Sequence, residues 1–305
     1  MVAFFVYSTG RCATQTLTRY FVANLGDQAV VEHEPIGPRW APRIALRHPD
    51  LAALRRELPD VDRHLDRVAA TLAEGRSYIE TGWPAFAWIP YLESFLGKNF
   101  RWAHLVRNPF YAAASMATLD YYGRKRAPTG YAALADLVPT DHGVSGHDLA
   151  ADWPSLGQFE KCLFHWLEIN RYALELARDG FQPSLLVHYE ELFGSSPSAL
   201  RKLYGCAGFG PPRIQKVEGV DLYQRSTVIR PRLHSARLRR DVESVAVELG
   251  YNRQEVDFEA LSAQVYRRYS RPWRGATRTG LKTVFRFATT SLRRLVSAGD
   301  KIPHV

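Results

Sequence analysis

Residues 102–116 read W-A-H-L-V-R-N-P-F-Y-A-A-A-S-M, the most specific stretch of this sequence. A mostly apolar run ends at Arg107, and Pro109 then favours the first turn of a helix because its fixed φ suits that position. Ser115 falls two turns into this helix. The pattern predicts a buried strand that delivers Arg107 at its carboxyl end. A planar guanidinium and the Ser115 hydroxyl can then converge on one phosphate.

Strand and helix patterns alternate around this stretch. Buried strands are predicted at residues 3–7, 29–32, 77–80, 102–106 and 184–188, from their β-branched and aromatic content. Helices are predicted at residues 14–24, 51–72, 111–119, 159–178 and 197–204. Alternation of this kind predicts an α/β fold with a central, mostly parallel sheet of about five strands, flanked by helices.

The first predicted strand leads into a helix through V-Y-S-T-G-R-C-A-T-Q-T-L, residues 6–17. A glycine turn before a helix N-terminus exposes consecutive backbone N–H groups that bind an anion, and Arg11 and Thr14 add a charge and a hydroxyl. An ordinary strand-to-helix connection fits the segment equally well. It is not a Walker A sequence, because Arg11 is followed by Cys12 where Lys precedes Ser or Thr. No strand ends in an apolar run and an aspartate for magnesium, which disfavours a kinase.

The two segments together resemble the sulfotransferases that use 3′-phosphoadenosine 5′-phosphosulfate (PAPS), of the bacterial or carbohydrate type. In that family the 3′-phosphate motif is a strand ending in Arg, then Asp/Asn-Pro and a helical Ser. Residues 8–15, here called the first loop, resemble its 5′-phosphosulfate loop, Arg/Lys-Ser-Gly-Thr-Thr/Ser. Residues 185–192, L-L-V-H-Y-E-E-L, resemble its strand ending in Tyr-Glu-Asp-Leu. The resemblance covers roughly residues 3–205.

This resemblance implies a P-loop NTPase-like three-layer fold and sulfuryl transfer from PAPS to a hydroxyl acceptor, with the corresponding bisphosphate (PAP) as product. It implies that Arg107 and Ser115 hold the 3′-phosphate, that Tyr189 lies near the nucleotide, and that Arg11 is catalytic. The 5′-phosphosulfate would be surrounded by Gly10, Arg11, Cys12, Ala13, Thr14 and Gln15. No metal is expected, since cationic side chains neutralise the transferred group.

The first loop departs from the family pattern at three positions. Ala13 stands where glycine is usual, and a positive φ there would cost roughly 1 kcal/mol. Cys12 and Gln15 replace hydroxyl side chains. These departures leave open a non-catalytic protein that binds PAP, PAPS or another nucleotide, and a P-loop kinase is a lesser alternative.

A general base is expected after the second strand, where V-E-H-E-P spans residues 31–35 beside the first loop. The family resemblance makes Glu34 the first candidate and His33 the second, although a charged turn before proline fits the same residues. Glu80, at the end of the third strand, is a further candidate for acceptor binding. Several aromatic side chains either line an acceptor cleft or pack in the core: Trp83, Phe86, Trp88, Tyr121 and Tyr122.

The net charge of +9 comes from one segment of the chain. Nine of the 40 basic residues lie in residues 267–294, which contain no Asp or Glu, so 31 basic residues face 31 acidic ones elsewhere. A nucleic-acid partner is therefore not expected.

Residues 1–265 are predicted to form the sulfotransferase domain, with 124–153 as a lid or acceptor-side excursion. Residues 266–305 are predicted to be a basic amphipathic extension, docked on the domain or on an anionic membrane.

The remaining composition concerns the setting of the protein. Three scattered cysteines and no apolar run long enough to cross a bilayer predict a reducing cytoplasm, with the chain free or peripheral at the inner membrane surface. The start of the sequence reads as a strand rather than a secretory signal. The expected acceptor is a small molecule, a glycan or a glycolipid.

Overall fold

The computed structural model describes residues 1–123, 131–192, 198–213 and 229–269. Within these ranges one five-stranded sheet has the order β2-β3-β1-β4-β5, and every neighbouring pair is parallel. Its strands are β1 (Ala3–Ser8), β2 (Ala29–His33), β3 (Ser77–Thr81), β4 (Phe100–Val106) and β5 (Leu185–His188). Each predicted strand is present, with ends displaced by at most two residues. The predicted α/β fold is confirmed.

Helices cover both faces of the sheet. They are α1 (Thr14–Leu25), α2 (Pro42–Ala45), α3 (Leu51–Glu57), α4 (Pro59–Ala73), α5 (Ile89–Leu96), α6 (Pro109–Ala117), α7 (Tyr131–Ala135), α8 (Gln158–Arg178), α9 (Tyr189–Leu192), α10 (Ser198–Cys206), α11 (Ala236–Glu248) and α12 (Phe258–Tyr269). Short 3-10 turns lie at Gly26–Gln28, Gly37–Trp40, Pro84–Trp88, Gly97–Asn99, His147–Leu149 and Arg253–Val256.

The central strand β1 divides the core into two apolar layers. Phe5 and Tyr7 belong to a buried cluster with residues of α4, α6 and α8, whereas Phe4 and Val6 belong to a second cluster with α1 and α10. Successive side chains of a strand point to opposite faces, so β1, which is apolar from Ala3 to Tyr7, must be covered on both sides. This produces the three layers.

The prediction of one helix over residues 51–72 is wrong. The helix is interrupted at Leu58, whose φ of −114° and ψ of 84° are not helical. Pro59 lacks an N–H and disfavours the helical conformation of the residue before it, so α3 ends and α4 starts with the proline in its first turn. Proline also starts α6 at Pro109, as the motif predicts, although the predicted helical range began at residue 111. There the Asn108 side chain accepts a hydrogen bond from Phe110 N at 3.1 Å.

The predicted excursion is partly described. Residues 131–153 contain α7, and Asp141 accepts hydrogen bonds from Arg43 Nε at 3.0 and 2.9 Å. Its role as a lid and the division at residue 265 stay predictions, and residues 270–305, with the predicted tail helix, lie outside the described residues. Across the described part of the chain, none of the helices combines the length and apolarity needed to cross a bilayer.

Candidate functional site

The first loop has an unusual backbone at the carboxyl end of β1. The dihedral φ is 78° at Gly10, 59° at Arg11 and 57° at Ala13, while Cys12 between them is not among the residues with positive φ. A tight turn with left-handed residues exposes successive backbone N–H groups, and α1 begins immediately afterwards. This backbone geometry is suited to binding an anion.

Two of these left-handed residues carry a Cβ. Ala13 has the positive φ at which its methyl group costs roughly 1 kcal/mol, and Arg11 bears a similar cost. Backbone strain of this kind persists only where surrounding structure enforces it, and it concentrates at ligand sites.

The side chains of the loop divide into buried and accessible groups. The Cys12 thiol is fully buried and donates to the Gly10 carbonyl at 3.3 Å. Burial raises the pKa of Cys12 to about 11, which keeps the thiol neutral. Only the backbone of Cys12 is therefore suited to an anion. Arg11 and Gln15 are half-buried, and Thr14 is buried at the loop's end.

The second motif meets the first loop at the same edge of the sheet. Arg107 Nη1 donates to the Arg11 carbonyl at 2.6 Å, and Arg11 Nε donates to Ser115 Oγ at 3.0 Å. The Tyr189 ring supports the Arg107 guanidinium, whose central carbon lies 4.3 Å from the ring centroid. Arg107, Ser115, Arg11 and Tyr189, from separate predicted motifs, are thus brought together.

Arg107 keeps an unused donor. Its side chain is only 6% exposed, and Nε has no hydrogen-bond acceptor among the described residues. Its Nη2 donates to the Tyr269 hydroxyl at 3.1 Å, a contact from α12 that no sequence motif indicated. A buried cationic donor without an acceptor is costly. The Arg107 guanidinium is therefore suited to a phosphate, whose oxygens would supply the missing acceptor.

The two candidate bases at the end of β2 have different environments. His33 Nε2 lies 3.0 Å from Thr14 Oγ1, and burial lowers the pKa of His33 to about 4, so the ring is neutral near pH 7. Burial raises the pKa of Glu34 to about 7; Glu80 acts in the same direction, while a backbone N–H from Trp83 and the charge of Arg11 oppose it. A carboxyl that titrates near neutral pH can take up a proton there.

Glu80 does not face an acceptor space, contrary to expectation. It is 2% exposed, and its carboxylate accepts from Trp40 Nε1 at 3.0 Å, His64 Nε2 at 2.9 Å and the Tyr78 hydroxyl at 3.0 Å. These donors make Glu80 part of a buried network beneath the site.

The aromatic candidates for the acceptor cleft differ in how deeply they are buried. Tyr121 and Tyr122 are half-buried, whereas core packing accounts for Trp83, Phe86 and Trp88, each at most 2% exposed.

The Gly82-Trp83 turn after β3 also adjoins the first loop, since a Cβ on Gly10 would lie 3.2 Å from Trp83 Cδ1. The sequence signal for this turn is a glycine directly after a strand whose carboxyl end lies beside the first loop.

No protein-family model matches the sequence, and no curated protein matches it. Among solved structures, the chain is similar to a sulfotransferase from Alicyclobacillus acidocaldarius at 13% identity, over 87% of this chain and 96% of that chain, with a TM-score of 0.42. That similarity is distant, and the site described above rests on its own geometry.

Proposed function

We propose that this chain is a sulfotransferase that moves the sulfuryl group of PAPS to a hydroxyl of a carbohydrate or glycolipid acceptor. One observation carries the proposal. Arg11 and the pair Arg107–Ser115, which the family resemblance assigns to two different phosphates of one nucleotide, lie in direct contact at the carboxyl edge of the sheet.

The donor supplies an activated sulfate whose leaving group is a phosphate. Arg11 and the loop N–H groups from Gly10 onward would stabilise negative charge at that end of the donor, with the Thr14 hydroxyl beside them. Arg107 and Ser115 would hold the 3′-phosphate, Arg107 through the Nε that has no acceptor among the described residues. Because these side chains are cationic or hydroxylic, we propose that no metal is needed.

Glu34 would accept the proton of the acceptor hydroxyl. Its raised pKa gives it proton affinity near the working pH, which is the condition for efficient general base catalysis. His33 would serve differently, since it is neutral and its Nε2 is engaged with Thr14. We assign His33 to orienting the Thr14 hydroxyl.

The setting of the reaction also stays a proposal. A cytoplasmic enzyme whose basic residues 267–294 attach to an anionic membrane surface would meet glycolipid acceptors there.

Thermal unfolding with added nucleotides tests the donor. PAP should raise the Tm, and ATP with magnesium should not. Arg107→Ala should abolish the PAP response, whereas Arg101→Ala, which changes an exposed arginine on β4, the strand that leads to Arg107, should keep it. An unchanged response in Arg107→Ala would refute the 3′-phosphate assignment.

Transfer of labelled sulfate from PAPS to a mixture of glycans and glycolipids tests catalysis. Stabilisation by PAP without transfer to any acceptor would favour a non-catalytic binding protein. A response to ATP with magnesium alone would favour a kinase.

A further inference from the structure

Glu34 has a backbone that few residues of its type adopt. Its φ is 46°, in the left-handed region, and its N–H donates to the Thr81 carbonyl at 3.1 Å. The chain therefore leaves β2 by turning back over the end of β3, and this turn sends the Glu34 side chain toward its neighbour strand.

Gly82 provides the space that this side chain fills. A Cβ added to Gly82 would lie 2.4 Å from Glu34 Cγ and 3.3 Å from both Cδ and Oε1. Side chains two residues apart on a strand share a face, so the Glu34 side chain occupies the position that follows Glu80 on that face. Any residue other than glycine at position 82 would displace the Glu34 carboxylate.

Trp83 completes the arrangement. Its backbone N–H donates to the Glu34 carboxylate, which helps to oppose the effect of burial on the carboxyl. Its ring lies against the first loop, where a Cβ on Gly10 would be 3.2 Å from Trp83 Cδ1. The ring is also packed edge-on to His165 at 4.8 Å between centroids and is 2% exposed. One rigid residue thus contacts both the carboxylate and the phosphate loop.

We propose that Gly82 and Trp83 are positioning residues, which hold the Glu34 carboxylate at the rim of the first loop. Their role in catalysis rests on the proposed function, in which Glu34 is the base. The placement itself rests on the close approach at Gly82, the Trp83 N–H and the left-handed turn at Glu34.

A double-mutant cycle on Tm tests the placement. Gly82→Ala should lower the Tm by about 5 °C, because its methyl collides with Glu34 and because alanine is strained at the Gly82 φ of 153°. In a Glu34→Ala background the colliding atoms are gone, so the loss should be at least halved. Gly75→Ala is the matched control, since Gly75, like Gly82, has a positive φ, here of 82°, but an added Cβ at Gly75 meets nothing within 4 Å. It should cost the same in both backgrounds.

Equal losses from Gly82→Ala in both backgrounds would overturn the proposal, as would no loss at all. If Gly82→Ala alone fails to fold, recovery of folding in the double variant supports the collision. Failure of both variants to fold refutes it.

The titration midpoint of the Glu34 carboxyl, measured by ¹³C NMR, does not change when a substitution only lowers the stability of the fold. Arg11, His33, Glu80 and the Trp83 N–H face or adjoin this carboxyl. Gly82→Ala should lower its midpoint toward that of an ordinary glutamate, and an unchanged midpoint would refute positioning. Neither experiment uses a nucleotide, so each can fail while PAPS transfer stands, and either can succeed if PAPS transfer fails.

Discussion

Replacing Glu34 by glutamine should stabilise the protein at high pH and not at low pH. Burial raises the pKa of the Glu34 carboxyl from 4.5 to about 7, and its side chain is 20% exposed. A carboxyl whose pKa is raised by folding adds full stability below its unfolded pKa and loses it as the pH rises through the folded one. The ionised Glu34 carboxylate therefore destabilises the folded protein above about pH 7. Glutamine resembles the protonated acid, so Glu34→Gln removes this destabilisation.

The size of the effect follows from the same change in proton affinity. Each tenfold change corresponds to about 1.4 kcal/mol, so the rise to about 7 amounts to at most about 3 kcal/mol. At 2–4 °C for each kcal/mol, roughly, Glu34→Gln should melt several degrees above the parent at pH 8. The two proteins should melt together near pH 4.

Urea unfolding between pH 4 and pH 8.5 measures the difference directly. Glu32→Gln is the control, for which the expected change in stability has the opposite sign. Burial acts to raise the pKa of Glu32, but hydrogen bonds from Arg67 and Tyr78 outweigh burial and lower that pKa. Losing that carboxylate should destabilise the protein above the usual glutamate pKa. A difference between Glu34→Gln and the parent that does not vary with pH would refute the reasoning.

Three further predictions concern the first loop and the Ser115 side chain that contacts it. Ala13→Gly should raise the Tm by roughly 2 °C, because glycine adopts the positive φ without strain; a lower Tm would contradict this. Ser115→Ala removes the hydroxyl that accepts from Arg11 Nε and should weaken PAP binding about five- to tenfold by calorimetry, whereas an unchanged Kd would place the phosphate elsewhere. Cys12 should resist iodoacetamide at pH 8 while the half-buried Cys206 reacts, as mass spectrometry can show; alkylation of both at similar rates would mean that the loop opens readily.

The strands could be predicted because their signals are local. Each strand of the sheet is short, and its β-branched, aromatic or other apolar residues stand within the segment itself. The helix over residues 51–72 was predicted too long because its apolar spacing continues through Pro59, although the proline's missing N–H breaks the helix there.

The choice between Glu34 and His33 shows where local signals end. The two residues are adjacent at the end of β2, and the local sequence does not separate them. Packing separates them, because His33 Nε2 contacts Thr14 while Glu34 lies over Gly82. The resulting pKa changes depend on burial by residues from other strands.

The sequence by itself determined the α/β class and the order of the elements, and it indicated the two segments proposed to bind phosphate, since hydrophobic period and turn chemistry act over a few neighbouring residues. Only the tertiary structure decided that Tyr269 contacts Arg107, that Glu80 is buried in a network, and that Glu34 fills the space over Gly82. Those contacts join residues far apart in the chain, and the close approach of side chains is determined by the packing of the whole sheet edge.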